Sequence, residues 1–413
     1  MIKSTQSLSL KQNIIWNSIG SFSYLFAQWL LTFLVVRLSS GFDDAGNLSL
    51  AISVTNIFYN LACFNVRPYL VSDVKQKYTI NDYVSFRLLT SIGSFLLCFV
   101  YILFFHYTIE QYICIMVYMI FKLGEACVDI FHAIEQKRSR MDIGGVSLLC
   151  RGVISVVVFS LSMIINHNVN VSIVLMTLFT WGFIFAFDFP NVRKFSRISL
   201  NFNWKIQKTL FIEFLPLAIG TFVGTTCTSL PRQFLEMVEG TNSLGIYATV
   251  ATPAVIVQVA SSYVYNPLLV RFSNLKEKKN GRGFTKLFFQ TSLVIFALGL
   301  LFFVGSVFLA KWGLNILYGA RISEYSYLFV PIIIYTALNG FLWFCHNVLI
   351  IFRKMKVLLF INITGLVCCL STSFLFINLL GMNGVTWSMI TFTLLMILEM
   401  MYMIKREISN LCL

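Results

Sequence analysis

Apolar residues run in blocks of about twenty, divided by short polar stretches, along the whole chain. At about 1.5 Å of rise per residue, a block of that length matches a hydrocarbon layer roughly 30 Å thick. Twelve spanning helices are predicted, at approximately 13–36, 49–70, 86–105, 111–132, 147–165, 171–189, 209–231, 247–270, 287–310, 326–351, 357–379 and 385–404. The first block is too long for a signal-peptide core and lacks a small-residue cleavage site, so it reads as an uncleaved span.

The fourth block breaks the pattern. Lys122, Glu125, Asp129 and His132 follow one another at steps of three, four and three residues, which places them on one stripe of a helix. A central Lys or Asp costs roughly 2.5–3.5 kcal/mol in lipid, against a gain of about 0.3–0.6 for each Leu, Ile, Phe or Val. The stripe is therefore expected to face other helices or a water-filled cavity.

Composition agrees with the pattern. Of 413 residues, 58% are hydrophobic and only 12% charged, more apolar sequence than a soluble core needs. The connections after the even-numbered spans carry Lys75, Lys77 and Arg87; Lys137, Arg138, Arg140 and Arg151; five basic residues over 193–208; six over 271–286; and Arg353, Lys354 and Lys356. With Lys3, Lys11, Lys405 and Arg406, that side holds 25 of the 31 basic residues. The positive-inside rule makes it the cytoplasm, with both termini there. The net charge of +14 is then a topology signal that also attracts anionic lipid headgroups, and it gives no reason to expect a nucleic-acid partner. The ten cysteines, mainly within spans, show no metal-ligand spacing and read as small packing residues.

Residues 46–88 repeat at 245–287 with a constant offset: Gly46 matches Gly245, Pro68 matches Pro267, Leu70-Val71 matches Leu269-Val270, Leu88 matches Leu287, and Arg87 meets Lys286. The expected fold is thus an all-α integral membrane protein in two parallel-repeat six-helix lobes around a central cleft. The lobes are predicted at 1–190 and 209–413, joined by a cytoplasmic linker over 191–208 that is expected to form an interfacial helix.

No GxxxxGK[ST] or other phosphate-cradling glycine loop is present, so no nucleotide cofactor or metal is expected. Energy must come from an H+ or Na+ gradient, the membrane potential or the substrate's own gradient. The candidates for chemistry are the charges within the apolar blocks: Lys122, Glu125, Asp129, Arg67, Arg151 and Arg232. The competing structural readings are a Lys122–Glu125 pair on one helix, interfacial snorkelling by Arg67 and Arg151, and a local pair of Arg232 with Glu236 or Glu239. Pro216, Gly220, Gly224 and Pro231 make the seventh span a candidate for bending or gating, or for close helix packing. Asp188, Glu213 and Glu399 read as interface markers. Asp43-Asp44 in "GFDDAGNLSL" admits a membrane glycosyltransferase, but the short outer loops offer little to hold an acceptor.

"EQKRSRMDIGGVSLLCRG" (135–152), "LPRQFLEMVEGTNSLGIYATVA" (230–251) and, more weakly, "GMNGVTWSM" (381–389) resemble segments of the Wzx-type O-antigen and polysaccharide repeat-unit flippases. Those flippases form a branch of the multidrug/oligosaccharidyl-lipid/polysaccharide (MOP) exporter superfamily. The resemblance implies a transporter rather than an enzyme, in a bacterial cytoplasmic membrane. It would move an undecaprenyl-pyrophosphate-linked oligosaccharide to the outer leaflet, with polysaccharide polymerase and chain-length machinery as candidate partners. The same superfamily leaves a multidrug or cation antiporter as the alternative. Arg232 and Arg151 fall within the resembling segments.

Overall fold

In the computed structural model, residues 8–39, 41–73 and 77–412 are described, so Lys3 and Lys75 of the basic set and the side chain of Cys412 lie outside them. Ten helices among the described residues are long and apolar enough to cross a membrane. One of these runs Trp204–Leu268, and Gly240 breaks it with φ 83° and ψ 176°, a conformation only glycine takes easily. Ile109–Lys137, a further helix of 29 residues outside those ten, brings the long helices to twelve once the chain is divided at Gly240.

We number them α1 (Leu10–Leu38), α2 (Asp43–Cys63), α3 (Ile80–Ile102), α4 (Ile109–Lys137), α5 (Met141–Asn166) and α6 (Val169–Phe183). The second set is α7 (204–239), α8 (241–265, including a 3₁₀ turn), α9 (Gly281–Tyr318), α10 (Phe329–Ile351), α11 (Met355–Leu380) and α12 (Met382–Cys412). Local sequence explains several starts. Ser9 with Gln12, Thr79 with Asp82 and Thr108 with Gln111 form reciprocal capping boxes that satisfy the first free N–H groups of α1, α3 and α4.

The chain divides into two compact units, Met1–Phe222 and Val223–Leu413. In the first, α1 packs on α5, α2 on α3 and α4, and α6 on α4 and α5. In the second, α8 packs on α9 and α10, and α12 on α10 and α11, which repeats the first pattern six helices later. The repeat has a local signature too. Phe64 and Asn65 end α2 in the left-handed region, and a short helix, Val66–Ser72, restarts with Pro68 in its first turn, where no N–H is needed. Its counterpart Pro267 sits in a 3₁₀ turn at Asn266–Leu268, between α8 and the helix Leu269–Glu277.

One expectation needs correction. Residues 196–203 of the linker form no interfacial helix. Side chains at the start of α3 hold them instead: the Asn81 amide donates to Ser199 Oγ (2.8 Å) and Ser199 N–H returns to Asn81 (3.1 Å), while Asn201 N–H donates to Ser85 Oγ (2.7 Å). Backbone already bonded to side chains gains little by turning helical. In α7, backbone angles stay helical through Pro216, Gly220, Gly224 and Pro231, and the one non-helical residue of the Trp204–Ala251 stretch is Gly240. A Cβ at Gly224 would make only ordinary contact, 3.9 Å from the Asn362 amide, so close packing is not what that glycine serves.

Candidate functional site

The charged stripe of α4 is turned into the first unit, among α2, α3, α5, α6 and the Val66–Ser72 helix. Sequence analysis placed it away from lipid, and its neighbours are polar. Asp129 receives two guanidinium groups: Arg87 Nη2 donates to Oδ2 (2.7 Å) and Arg67 Nη1 to Oδ1 (3.2 Å). Arg67 also donates to Gln136 Oε1 (3.0 Å), about two turns further along α4. Arg87 donates to the Ala62 carbonyl (2.9 Å), which the end of α2 leaves free. Arg87 is only 3% exposed, so the residue counted with the loop charges is a core ion.

One turn away, Glu125 is paired with Arg151 of α5. Arg151 Nε also donates to Ser147 Oγ (3.3 Å), and its guanidinium lies 5.4 Å from the Tyr24 ring centre. At 2% exposure Arg151 does not snorkel. Another residue counted as a loop cation, Arg140, is likewise buried, in a two-bond fork on Asp142 (2.9 Å each).

Glu125 is thus taken by Arg151, and Lys122 is left without it. The Lys122 ammonium lies over two aromatic faces, 5.3 Å from the Tyr59 centroid and 5.6 Å from that of Tyr118. Among the described residues no carboxylate comes within 4.0 Å of it. Cation–π contacts of this kind hold about 0.5–2 kcal/mol, and Glu125 acts on the ammonium only at longer range. The cluster therefore sets four cations, Arg67, Arg87, Lys122 and Arg151, against two carboxylates on the same stripe.

Arg232, in the second unit, belongs to a separate group. It is partly buried, its Nε has no partner among the described residues, and no carboxylate pairs with it within 4.0 Å. Tyr247 and Tyr335 lie within its field, and Tyr247 shares a hydrogen bond with Thr386 (3.1 Å). Glu239 does not turn to Arg232. Its carboxylate rests against Gly381, whose φ of 57° suits glycine.

Other sequence candidates fall elsewhere. Asp43 and Asp44 occupy the first turn of α2, where carboxylates stabilise the positive end of the helix dipole. Glu213 pairs with Lys77, and Glu399 accepts from Thr364 (2.7 Å). Asp188 is no interface marker, being fully buried. It closes a π-turn at Ile184–Asp188 just before Pro190, which cannot donate to the Ala186 carbonyl and so lets the hydrogen-bond ladder slip. Nothing in the sequence pattern marks that turn except the proline. Among the described residues no three His, Cys, Asp or Glu side chains gather as metal ligands would.

No family model matches the chain. A capsular polysaccharide biosynthesis protein, CapF of Staphylococcus aureus, is 24% identical over 405 residues, covering 94% of this chain and 99% of its own length. An inward-facing multidrug resistance MATE transporter of the MOP superfamily superposes with a TM-score of 0.64 at 12% identity, covering 93% of this chain and 94% of that one. The bent form of the Vibrio cholerae MATE transporter VcmN gives 0.61 at 12% identity, covering 97% of each chain. The chain carries the all-helical, two-lobed fold of the MATE transporters of the MOP superfamily.

Proposed function

We propose that the protein flips an undecaprenyl-pyrophosphate-linked oligosaccharide from the cytoplasmic to the outer leaflet of a bacterial inner membrane, for surface polysaccharide synthesis. The observation that carries this reading is Lys122, a cation held between two tyrosine rings inside the first unit with no carboxylate within 4.0 Å among the described residues. A pyrophosphate head needs such cations in a low-dielectric passage, and Arg67 and Arg232 can add bidentate donors. The capsular polysaccharide relative supports the substrate class, and the MATE-type fold supports alternating access. Both termini then lie in the cytoplasm, and an ion gradient supplies the energy.

Export of a cationic drug is the weaker reading, because Glu125 and Asp129 are already engaged by arginines. The test is deletion of the gene in its polysaccharide-producing host, with surface polymer and lipid-linked repeat units measured together. Lost polymer with complete repeat units confined to the inner leaflet is expected. Units lacking one sugar would make the protein a transferase, and unchanged polymer would remove polysaccharide as its cargo.

A further inference from the structure

Two carboxylates in the first unit have no role in the cluster above. Glu135 lies on the last turn of α4 and Asp188 at the end of the π-turn, and both are 0% exposed. Both Glu135 oxygens and Nε2 of His132 are buried without a hydrogen-bond partner among the described residues, and the equally buried Asp188 carboxylate has only the Ser147 hydroxyl acting on it, outside ordinary hydrogen-bond geometry. Glu135 and His132 converge on the bare face of Gly144. A Cβ built there would sit 3.3 Å from Glu135 Oε2 and 3.1 Å from His132 Cδ2, so only glycine leaves them this room. Asp188 is within electrostatic reach of Glu135.

An ionised carboxylate removed from water and given no donor is among the most unfavourable groups a protein can hold, and two in mutual reach are worse. Such a pair becomes tolerable when a proton replaces one charge. A metal ion would need several converging oxygen ligands. A proton needs a single oxygen, and intramembrane Asp, Glu and His groups of this kind form proton relays in transporters.

We propose that Glu135, Asp188 and His132 form a proton-binding site, where the first unit takes up one proton on a carboxyl group. The charges facing it are known from each neighbouring element. Arg67, Arg140 and Asp142 surround Glu135, and Arg151 and Glu125 act on Asp188, with Cys127 and Cys150 close to the latter. The nearest cations, Arg140 and Arg151, each have a carboxylate partner already, Asp142 and Glu125. The site borders the Lys122 cluster, whose Arg67 and Arg151 also act on His132, but shares none of its ion pairs. Its use in driving transport rests on the transporter reading, whereas its proton occupancy does not.

The experiment is infrared spectroscopy of the purified, detergent-solubilised protein at neutral pH, in H2O and D2O, for the wild type, Glu135→Gln and Asp188→Asn. A protonated-carboxyl C=O stretch that moves in D2O is expected in the wild type, and is expected to be lost in at least one variant. Gln and Asn imitate the neutral acid, so both variants are expected to melt within a few degrees of the wild type at neutral pH. The same band in all three proteins, or wild-type spectra with only ionised carboxylates, would overturn the site. Neither readout depends on what the protein transports.

Discussion

Glu125 of α4 is bonded to Arg151 of α5, although Lys122 lies three residues from it on its own helix. The difference is one of reach. Arg151 enters from a facing helix with Ser147 and Tyr24 fixing its plane, whereas Lys122 points between Tyr59 and Tyr118. The two residues should respond differently to substitution. Glu125→Gln leaves Arg151 as a buried cation without its partner, and a loss of roughly 3–5 kcal/mol is typical for such a break. Lys122→Met removes a buried charge that has no direct ion-pair partner and is expected to leave the melting temperature unchanged or raised, while abolishing polymer export in a complementation assay. Equal destabilisation by both variants would show that Lys122 holds the fold and binds no cargo.

Asp129 ties together two arginines of unequal burial: the side chain of Arg87 is 3% exposed and that of Arg67 34%. A third-exposed pair contributes at most about 1 kcal/mol, whereas removing one partner of a buried pair costs roughly 3–5. Arg87→Ala should therefore lower the melting temperature far more than Arg67→Ala. Arg67→Ala should instead show its effect in transport. The comparison is a pair of thermal melts with export measured on the same variants, and the reverse order would contradict the burial argument.

Much of this was legible in the sequence, and the misses have causes. The apolar blocks were legible because length and hydropathy mark what can span a bilayer, and each block falls on a long helix. The α4 stripe was legible because its period is helical. Its pairing was not, since Arg87 and Arg151 reach it from α3 and α5, and one sequence without its tertiary contacts cannot show which of several cations arrives. Burial of Arg87 and Arg140 was hidden for the same reason: at a helix end, a loop charge and a core ion read alike. The π-turn that seats Asp188 follows from a ladder slip before Pro190, and a proline at that place is equally compatible with a helix end.

Asp73, beyond the end of the Val66–Ser72 helix, gives a pH dependence outside the spans. Burial pushes its pKa up, the largest single influence. That is outweighed by the backbone N–H groups of Lys77 (3.0 Å) and Tyr78 (3.2 Å), the Tyr83 hydroxyl (3.1 Å) and the Lys137 charge, so the net shift is downward from 3.8. A carboxyl with a depressed folded value adds stability above its unfolded value, about 3.9, and that stability disappears as pH falls through the folded value. Wild-type melting temperature should then fall below about pH 4 more steeply than that of Asp73→Asn, which lacks the titrating group. Parallel acid limbs in the two proteins would exclude Asp73 as a contributor.

Gly20 of α1 and Gly145 of α5 form the last testable contact. A Cβ on Gly20 would collide with the backbone of Gly145, and a Cβ on Gly145 with the carbonyl of Trp16. Bare backbone on both helices lets them approach closely, the usual role of small residues between membrane helices. Neither Gly20→Ala nor Gly145→Ala can be relieved by rotating a side chain, because the obstacle is main chain, and overpacking of this kind costs about 1–3 kcal/mol. Either substitution should separate the helices and weaken the seat of Arg151 on α5. Once they are apart the second methyl meets less resistance, so the double variant should lose less than the sum of the two. Gly93 of α3, where a Cβ meets nothing within 4 Å, is the control: Gly93→Ala is expected to be neutral or stabilising by up to about 1 kcal/mol through helix propensity. Thermal melts of the four proteins decide it, and strictly additive losses at Gly20 and Gly145 would mean that the two glycines do not share one contact.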